Sequence, residues 1–343
     1  MHNQGSPASR VVELDALRGI AALAVVAFHY TTQYGAEIGH LTPLSWGFPA
    51  GNYGVNLFFL ISGFVIFMTL ERTRTAMDFV VSRLSRLFPG YWAAMAITAC
   101  VVYSIGMPWQ RVSAHDLLLN LTMLQQVLGG AHLDGSYWTL QVELFFYVQM
   151  LSWFVLGQLR RIHWIIAGWL ALSVLYGESM QHHMHFSYLL RELLILRHIP
   201  FFAIGILFYR LYSNPAEARL NIGMIGLCLL AIWIELEPVF LLVAVVCCAI
   251  FALFVSDHLR WMRGRLFAYL GATSYSLYLL HQAVGFALIH WLEIHGVHSA
   301  LAVWLAFLPV LALASLLAYG WERPVMRWIR AQWKRQSVQI EAV

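Results

Sequence analysis

Residues 14–34 read LDALRGIAALAVVAFHYTTQY, and what this stretch can be decides the fold. It has about the length that crosses a bilayer as helix, roughly 20 residues. It also carries Asp15, Arg18 and His29, and ionisable groups inside a spanning helix are costly enough to be functional suspects. On a helix turning about 100° per residue, Arg18 and His29 fall on one face, separated by roughly 16 Å of rise. Asp15 lies one turn before Arg18, within pairing distance. Ala22 and Val25 face the same way and leave room for another helix or a slender ligand. An anion-binding group at the foot of a helix and an imidazole near its top imply more than an anchor.

The rest of the chain agrees. Of its 343 residues 60% are apolar and 11% charged, with a mean hydropathy of +0.68, where a soluble domain carries about 25% charge. The expected fold class is all-α, a polytopic integral membrane protein. A transmembrane barrel would alternate apolar and polar residues in short segments, and here the apolar runs are continuous. The first run is too long for a signal peptide and lacks a cleavage site, so it reads as a retained helix. Cys100, Cys228, Cys247 and Cys248 all sit within apolar runs, without metal-ligand spacing or an evident disulfide partner, and read as packing residues. The net charge of +4 gives no reason to expect nucleic acid, because the arginines follow topology.

Ten spans are expected: 14–34, 51–70, 88–106, 136–157, 163–177, 193–212, 220–234, 238–255, 266–290 and 300–326. They form one membrane domain over residues 1–343, with short tails at either end and no internal repeat. Asp116–Leu128 is too short to span and reads as an interfacial or re-entrant helix. With the N-terminus inside, 18 of the 21 Lys and Arg fall on the inner side, leaving Arg111, Arg191 and Arg197 outside. This is the positive-inside pattern, and it places both termini in the cytoplasm. His29, Asn56, Glu143, Arg197 and His281 then all lie in the outer half of the membrane, which implies a polar cavity opening outward. Arg18 and Glu322 lie near the inner face.

Each polar group has a bland reading beside the chemical one. His29 is a proton carrier near neutrality or a buried helix-to-helix hydrogen bond. Glu143, in SYWTLQVELFFY, needs a partner in the bilayer; His29 at similar depth is the chemical choice, and an ion pair with Arg197 the structural one. Arg83 and Arg86, in FVVSRLSRLFPGYW, are one turn apart on an amphipathic inner segment. They are topological charges with snorkelling stems or a grip for a phosphorylated donor. Asn56 and Ser62, in GVNLFFLISGFVI, suit a small-residue packing face, and no Gly-x-Ser-x-Gly turn surrounds the serine. Tyr137 and Trp138 belong to an interfacial aromatic belt or stack on a sugar. His281 lines the cavity or packs. His182, His183 and His185 cluster in an outer loop, where solvated imidazoles are the simpler reading than a metal site, and no metal is expected.

Taken together, LDALRGIAALAVVAFH, GVNLFFLISGFVI, SRLSRLFPGYW, YWTLQVELFFY, YSLYLLH and YGWERP resemble the acyltransferase type 3 family, over residues 13–324. Its members include membrane O-acetylases of surface polysaccharides. The resemblance implies a membrane-bound O-acyltransferase that moves an acyl group, usually acetyl, from cytoplasmic acyl-CoA to a hydroxyl of a surface polysaccharide or lipid-linked glycan. It implies His29 as the catalytic residue with Arg18 completing its motif, Arg83 and Arg86 as the cytoplasmic arginine motif, and Trp138 and Glu143 as the outer-side motif. Arg18, Arg83 and Arg86 are then expected on the donor, and Glu143 with His29 in catalysis. Asn56, Arg197 and His281 are the further expected acceptor contacts. Acyl-CoA is then a co-substrate and no cofactor is expected to stay bound. The expected location is the inner membrane of a bacterium. Thr139 stands where serine is common, and no second domain is evident to recognise the acceptor. Direct transfer and an acyl-imidazole route both fit. Two other classes fit less well: a glycan or lipid exporter, which would more often show inverted repeats, and a haem carrier using His29 and His281.

Overall fold

In the computed structural model, which describes residues 12–181 and 187–341, those residues form helices and connections with no strand. The helices are α1 Val12–Phe28, α2 Tyr34–Glu37, α3 Gly54–Glu71, α4 Ala76–Ile105, α5 Ala114–Asn120, α6 Trp138–Val155 and α7 Ile162–Gln181. They continue with α8 Tyr188–Leu194, α9 Ile199–Ser213, α10 Ala218–Glu235, α11 Pro238–Val255, α12 Arg265–Ile294, α13 Ser299–Leu317 and α14 Arg323–Glu341. The expected outer loop holding His182, His183 and His185 lies outside the described residues.

Two π-helical turns interrupt otherwise continuous helices. One, His29–Gln33, joins α1 to α2, and the other, Ala318–Glu322, joins α13 to α14. A π-turn admits an extra residue and turns the following side chains out of register, which is why such turns gather at functional positions. Here they hold His29 and Glu322.

Glycine decides which helices meet. A Cβ on Gly19 would lie 2.6 Å from the backbone of Leu270, and one on Gly271 would lie 2.5 Å from the Asp15 carbonyl oxygen. α1 and α12 therefore touch backbone to backbone at two points. α3 and α9 do the same, because a Cβ on Gly63 would overlap the Phe202 carbonyl and one on Gly205 the Leu60 carbonyl. Between lipid-soluble helices such close approach is the main source of specific packing.

Seven helical segments are long and apolar enough to cross a membrane, and an eighth span is gained if the pair 135–155 and 159–179, bent by 112°, counts as one. By length and composition alone the expected ten are therefore not all counted, and the sequence spans differ from the counted ones in two places. Glu13, Asp15 and Arg18 crowd the first turns of α1. α6 and α7 meet at a sharp bend, where Gly157 adopts a left-handed φ of 66°. α4 runs unbroken through Pro89, joining the amphipathic segment and the third expected span into one 30-residue helix. Around the proline the carbonyls of Leu87 and Pro89 also accept side-chain donors, Tyr275 Oη at 2.8 Å and Trp321 Nε1 at 3.0 Å. The expected helix over 116–128 is cut short at Asn120. The buried Asn120 side chain bonds the carbonyls of Asp116 and Ala131 and the Leu133 N–H, drawing the chain into turns.

Candidate active site

A cavity of about 400 Å³ opens where α1, α4 and α12 begin and α14 leaves the bundle. It follows α3 and α6 towards the opposite end, from Val65 and Tyr147 to Val55 and Thr139. Its wide end is basic. Arg18 of α1, Arg83 and Arg86 of α4, and Arg323, Arg327 and Arg330 of α14 all line it, against the carboxylates of Asp15 and Glu143.

These guanidiniums differ in how they are held. Arg18 lies 3.9 Å from Asp15, the pairing expected from their spacing. Arg86 is bonded at 2.7 Å to Glu322, whose side chain is wholly buried and takes a second bond from Ser276. Arg83 donates one bond, to Ser82 Oγ at 3.0 Å, lies over the Phe79 ring, and keeps its buried Nε without a partner among the described residues. Six guanidiniums against three carboxylates, Asp15, Glu143 and the Glu322 held by Arg86, leave a surplus of positive charge in a half-enclosed space, which an anion would relieve.

Glu143 lies deep in the same cavity and accepts hydrogen bonds from Ser62 Oγ at 2.8 Å and Tyr147 Oη at 2.6 Å. The expected pairing with His29 is not formed, nor is the ion pair with Arg197. The cause is the direction of the helix faces: α6 turns Glu143 towards α3, whereas His29 faces α12. Ser62, read as a packing residue, is the link between them.

His29 instead meets His281. Its Nδ1 lies 2.8 Å from the Val25 carbonyl and 3.2 Å from His281 Nε2, while His281 Nδ1 lies 2.6 Å from the Tyr278 carbonyl. A carbonyl only accepts, so each Nδ1 carries the proton. His281 Nε2 then presents a lone pair to the His29 N–H. Nε2 of His29 is left unprotonated, with no hydrogen-bond partner among the described residues. The rings stand edge to face with centroids 4.7 Å apart. That contact leaves no slot between them for a haem. His29 lines neither of the two cavities; the ring of Tyr278, which packs on His281, lines the basic one.

A second cavity, about 390 Å³, occupies the opposite end of the bundle. Asn56 and Arg197, two of the residues expected in one polar cavity, line it together with Trp138, Arg191, Glu192 and His198. Trp138, His198 and Phe59 form a run of ring contacts along one wall, and Arg197 lies over Phe240. Val55 and Phe59 line both cavities. The single outward cavity expected from residue depth is thus two cavities back to back, with Glu143 in one, Asn56, Trp138 and Arg197 in the other, and the histidine pair beside them.

The structure adds residues that the sequence does not single out. Arg323, Arg327 and Arg330 read in the sequence as inner charges, although their spacing places them on one helical face. Asp134 carries no sequence signal. It ties the loop before α6 to α12, accepting from Ser136 N, Ser136 Oγ and Ala283 N at 2.8, 2.6 and 2.8 Å. Burial pushes its carboxyl up to about 6 in spite of these bonds. Among the described residues no group of three or more His, Cys, Asp or Glu side chains could hold a metal ion.

Comparison with known proteins places this geometry. Residues 11–319 match the family described as Acyltransferase domain. The chain is 29% identical over 179 residues to Acyltransferase MdmB of Streptomyces mycarofaciens, covering 46% of this chain and 44% of that protein. It is 34% identical over 122 residues to Protein 2 in picA locus of Rhizobium radiobacter, covering 33% and 58%. It is 29% identical over 150 residues to the O-acetyl transferase of Shigella phage Sf6, covering 39% and 43%. The chain spans about half the length of the curated relatives it matches. No solved structure gives a significant match. With nearly its whole length matched, from the first helix to the π-turn that holds Glu322, this chain belongs to the acyltransferase domain family.

Proposed function

We propose that the chain transfers an acyl group, most simply acetyl, from cytoplasmic acyl-CoA to a hydroxyl of a surface polysaccharide or lipid-linked glycan at the outer face of a bacterial inner membrane. The observation that carries this reading is the pair of cavities end to end, one basic and one aromatic and polar, separated at Val55 and Phe59. An acyl donor with phosphates at one end and a slender thioester arm at the other matches the basic cavity, which runs from its arginines past Glu143 to Val55 and Phe59. A sugar matches the second, where Trp138 offers a stacking face and Asn56 and Arg197 offer hydrogen bonds. One relative of the chain is a phage protein named O-acetyl transferase, and its printed chemistry agrees with this reading. Basic residues concentrated at the end bearing α14 support the cytoplasmic placement of that end.

In the reaction the acceptor oxygen attacks the thioester carbonyl carbon and its proton passes to Nε2 of His29, which lines neither cavity and so is reached only when the side chains between it and the cavities move aside. The carbon–sulfur bond breaks, the ester forms, and the imidazolium returns the proton to the leaving thiolate, giving free CoA. The imidazolium would be held by what already surrounds Nδ1: the Val25 carbonyl and the lone pair of His281. Glu143 therefore has a different part, at the wall of the donor cavity rather than behind the base. General-base help is worth roughly 10²–10⁴ in rate, so holding donor and acceptor on either side of Val55 and Phe59 must supply much of the remainder.

The test has two arms. Membrane vesicles containing the protein should release CoA thiol from acetyl-CoA only when a glycan acceptor is present, and cells lacking it should lose an ester from a surface glycan. Export of glycan without thiol release would replace this reading with the exporter.

A further inference from the structure

The family match ends at residue 319, yet three of the six cavity arginines lie beyond it. Arg323, Arg327 and Arg330 occupy positions i, i+4 and i+7 of α14, so one face of the helix presents all three. That face is fastened to α4. Arg330 donates from Nε to Ser85 Oγ at 3.0 Å and from Nη2 to the Ser82 carbonyl at 2.7 Å. Further along, Trp333 Nε1 donates to Asp78 Oδ1 at 2.8 Å. α14 is therefore a wall of the basic cavity and not a trailing segment. Arg327 lines that wall without a hydrogen bond or ion pair among the described residues, and Arg83 opposite it keeps a buried Nε unpartnered.

We propose that α14 is part of the donor site, its Arg327 and Arg330 closing with Arg83 around the phosphate groups of the donor. The inference rests on the acyl-CoA reading and adds to it a binding element outside the matched domain. Planar guanidiniums converging from two helices suit the several oxygens of a phosphate better than a single carboxylate. Anionic lipid headgroups share that chemistry, and α14 also exposes Trp328. All three arginines line a cavity that runs on past Glu143 and Ser62 to Val55 and Phe59, which favours the donor.

The full-length protein in detergent would be titrated with CoA and with pantetheine, which has the same arm and no phosphate. Arg327→Ala should weaken CoA about tenfold or more and leave pantetheine and the melting temperature unchanged, and Arg327→Lys, which keeps the charge but not the planar fork, should recover only part of the loss. Arg330→Ala should weaken CoA similarly, with some loss of stability from its bonds to α4. Unchanged CoA affinity in both alanine variants would overturn the proposal while leaving the acyl-CoA reading intact. So would an equal loss of CoA and pantetheine, which marks a structural role. Unchanged CoA affinity, with loss of the stabilisation that phosphatidylglycerol gives the wild type, would assign the arginines to lipid. Wild-type protein that binds CoA no more tightly than pantetheine would refute both readings together.

Discussion

His281 Nε2 stands 3.2 Å from His29 Nδ1, joining the first helix of the bundle to the twelfth. Because both Nδ1 protons are committed to carbonyls, the pair has a direction: His281 accepts, His29 donates, and the basic nitrogen of His29 is the one facing away.

His29→Ala should lower turnover by about 10²–10⁴ with the protein still folded, as judged by size-exclusion profile and melting temperature. His281→Ala removes only the acceptor behind the base and should cost less. If the two act as one unit, the double variant will be scarcely slower than His29→Ala alone. Multiplied losses would separate the two residues, and near-normal turnover in well-folded His29→Ala would remove the base assignment.

Glu143→Gln keeps an acceptor oxygen for Ser62 and Tyr147 but loses the charge that strengthens both bonds. Turnover should fall about 10–100-fold, and Ser62→Ala should fall less, because Tyr147 still holds the carboxylate. Initial rates in vesicles, corrected for folded protein, would decide this; a larger loss in Ser62→Ala than in Glu143→Gln would contradict the order.

Arg83→Ala and Arg86→Ala should part company. Arg83 has a single hydrogen bond to the protein, so its loss should raise the apparent KM for acyl-CoA with little change in melting temperature. Arg86 neutralises the buried Glu322, and its removal strands that carboxylate at a cost of about 3 kcal/mol or more. Adding Glu322→Gln to Arg86→Ala should recover much of the stability without recovering donor affinity.

Gly63→Ala and Gly205→Ala should each lower the yield of folded protein sharply. The new methyl meets a backbone carbonyl on the partner helix, which cannot swing aside as a side chain could, so the cost should be about 3 kcal/mol or more. Gly168→Ala, with nothing near its Cβ position, is the matched control and should be silent.

Asp134 predicts a pH dependence. Its folded carboxyl titrates near 6 against an ordinary value of 3.8, so the folded protein takes up a proton that the unfolded chain does not. The penalty for burying the charge is fully present above about pH 6 and is relieved as the pH falls towards 3.8. Relative to Asp134→Asn, the wild-type melting temperature should therefore rise between pH 7 and pH 4.5 (roughly the window these values span). A wild type that loses stability relative to the variant over that window would reverse the sign.

Much of this was legible in the chain. The helical membrane class followed from the apolar runs, and Pro238–Val255 was bounded to the residue because proline opens it and serine and aspartate follow. Arg18 with Asp15 followed from spacing alone. Residue depth brought His29, Glu143 and His281 to one level but said nothing about azimuth. A helical face can be read within one helix, whereas which neighbour it meets depends on packing set by Gly19 and Gly271 on one side and Gly63 and Gly205 on the other. That is why Glu143 was given to His29 when its partners are Ser62 and Tyr147. The arginines of α14 were hidden for a related reason: the π-turn at Ala318–Glu322 redirects them, and no periodicity announces such a turn.

The wall shared by the two cavities has a consequence for the cell as well as for the chemistry. If the ends open to opposite compartments, Val55 and Phe59, with the ring of Phe202 stacked behind Phe59, are the electrical seal of a membrane that must hold its gradients. The protein then has to pass an acyl group of a few atoms while refusing passage to hydronium and sodium. A substitution that widened this partition, such as Phe59→Gly, would be felt first as an ion leak: conductance in a planar bilayer, and a collapsed potential in growing cells.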